Sequence, residues 1–132
     1  MSIETLRSAM ATALRTISGL RASEYITESI QPPHAMFDYE INPDLTFQRG
    51  ADVYQFTVSV FCQRTAERTS QVFLDTVRDP NSTSGVKYTI ENDATLAAQV
   101  DYARVTRIGR IETKVVSAIE YLACDFDVEV VI

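Results

Sequence analysis

The chain has 132 residues, 45% of them hydrophobic and 23% charged, which suits one domain over residues 1–132 with a core of its own and argues against disorder. Its formal net charge of -6 disfavours a free-standing, tight nucleic-acid binder, which is normally basic. It does not disfavour a protein that lets DNA pass without gripping it.

No uninterrupted apolar run approaches the roughly 20 residues of a membrane span. Glu4 and Arg7 interrupt the start before any apolar stretch of signal-peptide length, so the expectation is a soluble protein made in a cytoplasm. Ser2 can cap a first helix, with Glu4 near the positive end of its dipole. Ile3, Leu6, Met10, Leu14 and Ile17 recur at steps of three and four and form one apolar stripe, with Arg7 and Arg15 off it. Gly19 is a natural stop.

The pattern weakens over residues 20–30, where a short strand at 23–26 is expected. Pro32-Pro33 excludes helix and forces an extended turn. Ala35, Phe37, Tyr39 and Ile41 then alternate with Met36, Asp38 and Glu40 as a strand, broken by Asn42-Pro43-Asp44. Residues 45–50 either begin the next strand or form a projecting hairpin loop whose Leu45 and Phe47 want a partner.

The best candidate for the centre of a sheet is the stretch 51–62. Tyr54, Phe56, Val58, Val60 and Cys62 share one parity, and Gln55, Thr57 and Ser59 the other. Thr65 can cap a second helix to about residue 78, burying Ala66, Phe73 and Val77 with Val72 or Leu74. Asp79-Pro80-Asn81 ends it. A short helical turn carrying Val86 and Ile90 follows, closed by Asn92-Asp93, and Leu96 is expected to plug the core.

Two strands finish the chain, at 100–111 and 119–131, joined near residues 113–117 as an antiparallel hairpin. In the last strand Leu122, Cys124, Phe126, Val128 and Val130 face one way and Asp125, Asp127 and Glu129 the other. The order α, β, β, β, α, short α, β, β predicts an α+β fold: a mostly antiparallel sheet flanked by an N-terminal helix and a mid-chain helix.

Catalytic chemistry is hard to find. His34, the single histidine, reads as a loop residue after Pro33, with no nucleophile elbow to serve. Cys62 and Cys124 sit on apolar parities and read as buried free thiols. With one histidine they cannot make a structural zinc site of the usual spacing. Four scattered glycines offer no phosphate cradle. The stripe Asp125, Asp127, Glu129 reads first as the solvated face of a sheet, paired with Arg104, and second as a functional acidic surface. Arg104, Arg107 and Arg110 look like a basic ladder, but they alternate in parity and so do not form one patch on a strand. No catalytic residue, metal ligand or cofactor is expected, and an enzyme is the weaker class.

Taken in order, these stretches resemble the tail terminator (head-to-tail joining) proteins of long-tailed bacteriophages, especially those infecting actinobacteria. The resemblance rests on Pro32-Pro33, Leu45-Thr46-Phe47 with Arg49-Gly50, and the run Tyr54, Phe56, Val58, Val60. It continues through Leu74-Asp75, Ser84 with Val86-Lys87, Asp93 with Thr95-Leu96, and the ending Tyr121-Leu122, Phe126, Val128, Val130. Ala97-Ala98 departs from it, standing where relatives commonly show paired glycines.

The resemblance implies a non-enzymatic virion protein, made in the host cytoplasm, that forms a homo-hexameric ring at the head–tail junction. The ring caps the tail tube protein, stops its polymerisation and meets the head–tail connector. DNA later passes through the hole without specific binding, and no membrane is involved. Leu45, Phe47 and Arg49 would then dock subunit or tube, and Asp125, Asp127 and Glu129 would face the lumen. Another head–tail connector, a minor tail protein or a small non-ring adaptor domain is the alternative.

Overall fold

The computed structural model describes residues 3–17, 19–24, 30, 32–42, 53–64, 67–93, 96, 100 and 102–131. Among these residues nine elements follow in chain order: α1 (Ile3–Arg15), β1 (Arg21–Ala22), β2 (His34–Asn42), β3 (Val53–Gln63), α2 (Glu67–Arg78), α3 (Val86–Glu91), β4 (Tyr102–Ile108), β5 (Glu112–Val116) and β6 (Ile119–Val131). The architecture is α+β, with a six-stranded sheet in the order β1-β2-β3-β6-β4 and β5 also paired with β6. All pairings are antiparallel except β1 with β2. The central places of β3 and β6 follow from their length and from the unbroken apolar parity of each.

One core lies between one face of the sheet and the helices. Leu6, Met10 and Leu14 of α1, Leu74 and Val77 of α2, and Val86 and Ile90 of α3 meet Phe37, Phe56, Val58, Val60, Cys62, Cys124, Phe126, Val128 and Val130. Leu96 is fully buried among them, as expected of a plug. Leu74, not Val72, completes the inner face of α2, and Val72 is left exposed. Gly19, at φ +80, turns the chain out of α1 in a conformation that L side chains rarely adopt.

Three expectations need correction. Of the strand placed at 23–26, residues 23 and 24 are not in a strand and residues 25 and 26 lie outside the described residues, while β1 stands just before, its two residues paired with His34 and Ala35. Weak apolar patterning left that position unmarked. His34 is not a loop residue: it opens β2 and is 6% exposed.

The third concerns the strand drawn over 100–111 and the connection after it: the first holds only β4, and the second holds β5. Residues 109–111 separate the two, and β5 occupies most of what read as a connection, leaving Ser117 and Ala118 at positive φ as the hairpin turn. Gly109 belongs at the interruption because its backbone closes on β6. Its N–H donates to the Asp125 carbonyl at 2.7 Å, and a Cβ there would sit 2.8 Å from the same oxygen.

Candidate functional site

With α1, α2 and α3 gathered on one face, the sheet's other face is free of helix among the described residues. Strand alternation brings to it the residues that the core rejects. Read across the sheet, the register sets Glu40, Gln55, Glu129 and Arg104 in one row and Asp38, Thr57, Asp127 and Arg107 in the next. Met36, Ser59 and Asp125 make the third.

Arg104 and Arg107 share a face, contrary to the parity argument. The register of β4 slips between Val105 and Arg107, so one extra residue restores the phase and aims Arg107 at Asp127. Arg107 Nη1 lies 3.7 Å from Asp127 Oδ2, and Tyr102 donates its hydroxyl hydrogen to Glu129. Past the second break, Lys114 donates to Asp125 Oδ1 at 2.6 Å while Ser59 Oγ donates to the same oxygen at 2.7 Å. The acidic stripe is therefore matched strand to strand by a basic one. That makes it a cross-strand ladder, which keeps charges in fixed positions at modest net field. On the other side of the stripe Glu40 and Asp38, the latter also 3.5 Å from Arg7, join Asp127 around a polar depression of about 430 Å³, also lined by Tyr39, Gln55, Phe56 and Thr57.

The lower part of this face is apolar. Met36, Phe61, Tyr121 and Ala123 are buried together, with Ile30 and Val116 against them and the Phe61 and Tyr121 rings edge to face at 5.9 Å. Sequence reasoning missed this cluster because it assigned each strand one apolar parity. Met36 and Phe61 interrupting the polar parity were the available signal.

Both lateral edges carry a guard. Ser23 N–H donates to the Ala35 carbonyl, so odd-numbered residues of β2 turn their backbone groups outward. The Tyr39 N–H points that way and is taken by Asp38 Oδ1 at 2.8 Å. Arg7 covers this edge, its guanidinium 4.9 Å from the Tyr39 ring centre and 3.5 Å from Asp38. On β4, Arg104 faces β6 and its neighbours Ala103 and Val105 face outward. The Val105 N–H donates to Glu91 Oε2 at 2.9 Å, and both Glu91 oxygens also accept from Lys87.

Among the described residues no group of three or more His, Cys, Asp or Glu is arranged to hold a metal ion, and no helix is long and apolar enough to cross a membrane. Ser23 Oγ and His34 Nε2 lie 2.6 Å apart. Burial, helped by the Arg21 charge, holds the His34 pKa below its ordinary value. Cys62 and Cys124 are free and buried on adjacent strands. Burial raises their thiols to about 11 and about 12. Leu45, Phe47 and Arg49 lie outside the described residues, as do Ser2, Thr65, Ala66 and the Ala97-Ala98 turn. No family model matches the chain, and no curated protein matches it.

Proposed function

We propose that this chain is a phage tail terminator: a subunit of a hexameric ring that caps the tail tube, stops its growth, meets the head–tail connector and leaves a channel for DNA. The observation that carries the reading is the one-sided sheet, with helices on one face, a charged open face, and two unlike lateral edges. Such a subunit is suited to a heterologous contact that repeats until rotation closes it. The ordered resemblance of the chain to the terminator family adds to this.

In this reading the open face, with Asp125, Asp127 and Glu129, lines the lumen. The cross-strand partners of these carboxylates moderate their field, and the chain's net charge of -6 disfavours a grip on the phosphate backbone. Leu45, Phe47 and Arg49 dock onto the tube or a neighbouring subunit. The protein performs no catalysis, needs no cofactor, and resides at the head–tail junction of the virion after assembly in the host cytoplasm.

Size-exclusion chromatography with light scattering, with and without tube protein, together with electron micrographs of the product, tests the proposal. Rings of six are expected. A monomer at every concentration that ignores the tube refutes the reading.

A further inference from the structure

The sheet's two lateral edges are complementary in charge, length and direction. β2 presents Asp38 and Glu40 beside the depression, and β4 presents Arg104 and Arg107; all four are exposed. β1 covers β2 only at His34 and Ala35, so of its nine residues seven, 36–42, have no strand beyond them among the described residues, and β4 has seven. The break at 109–111 falls level with β1, where a neighbour would have to step aside.

Each of the pairings β2–β3, β3–β6 and β6–β4 is antiparallel, so β4 runs opposite to β2. A rotation about a ring axis keeps strand directions, so β4 of one copy meets β2 of the next antiparallel. Placed level, Arg104 comes opposite Glu40 of the next copy and Arg107 beside Asp38. Ala103 and Val105 then face Ile41 and Tyr39, and all four turn their backbone groups off their own sheets, as a hydrogen-bonded pair requires.

We propose that β4 of one subunit pairs edge to edge with residues 36–42 of a second copy of this chain, with Arg104 and Arg107 seated on Glu40 and Asp38. The pairing deepens the ring reading and rests on its self-association. The guards set its threshold. Val105 N–H leaves Glu91, which stays on Lys87, and Tyr39 N–H leaves Asp38, which gains Arg107 of the neighbour. A lone subunit is thereby kept from sticking at random, and pairing is favoured when a template holds copies side by side.

The test reverses each edge separately. D38R/E40R and R104E/R107E should each lose assembly by at least tenfold in concentration, measured by light scattering on tube protein. An equal mixture should recover it, because each reversed edge then meets its complement. As the reversals also touch neighbouring carboxylates, E40C/R104C in the full chain supplies a second reading. Mild oxidation should give a ladder of disulfide-linked copies on a non-reducing gel, several-fold stronger than E40C/R107C, whose sites lie two residues out of register. Wild-type rings with no ladder, unaffected assembly of either reversal, or cross-links to tube protein alone would overturn the edge pairing and leave the ring standing. A wild type that never assembles removes both.

Discussion

Glu91→Ala examines how a six-residue helix governs the sheet edge. The Glu91 carboxylate, about three-quarters covered, accepts the outward Val105 N–H at 2.9 Å and both its oxygens accept from Lys87. A hydrogen bond to a charged acceptor is worth roughly 1.5–3 kcal/mol, and leaving a partly buried donor unmade places the loss in the same range. The Lys87–Glu91 pair adds little, about 0.3 kcal/mol, because the basic residue precedes the acidic one against the helix dipole.

The expected destabilisation is therefore about 2 kcal/mol, or roughly 7 °C in Tm for a chain of this length. Urea denaturation with light-scattering control of the monomer measures the total, and amide exchange at Val105 localises it, with protection there falling more than in β3. Glu91→Gln, which keeps an acceptor oxygen, should lose about half as much. A loss below about 0.5 kcal/mol with unchanged Val105 exchange refutes the view that this carboxylate holds the edge.

Phe126, fully buried at the crossing of β6 with the helical layer, should cost about 3–5 kcal/mol on truncation to Ala; a shift in urea midpoint worth under 1 kcal/mol contradicts the core described above. The thiols of Cys62 and Cys124, raised to about 11 and about 12 by burial, should resist iodoacetamide in the native state at pH 8 and react fully in urea. The unfolded chain ionises them near their ordinary 9.0 while the native chain keeps the protons, so stability should fall as pH rises from about 9 towards 11–12. Labelling of native protein at the unfolded rate refutes this. His34, held neutral by burial and by Arg21, favours the native state above its ordinary 6.5, and that contribution fades as pH falls through its lowered native value. Urea midpoints at pH 7.5 and 5.5 should differ more for the wild type than for His34→Asn, and equal differences count against it.

Much of the fold was legible because burial on one face imprints a period on the sequence. The stripe of α1, the parity of β3 and β6, the inward Val86 and Ile90, and the plug at Leu96 each follow from a local pattern that a packed core demands. The site was less legible. Asp125, Asp127 and Glu129 could be placed on one face and Arg104 set opposite them, but Arg107 and Lys114 could not be added, because a register slip and a break at 109–111 reset the phase after Arg104.

The amino-acid order alone determined which face of each element meets the main core, that helices stop before Gly19 and Pro80, and that the balance of charge is acidic. Only the assembled sheet decided that Arg104 and Arg107 share a side, that Met36, Phe61, Tyr121 and Ala123 form a second apolar cluster, and that Glu91 reaches the backbone of Val105. The physical reason is range. Periodicity records what each residue needs from a core, whereas register, bulges and edges arise when strands far apart in sequence choose their alignment.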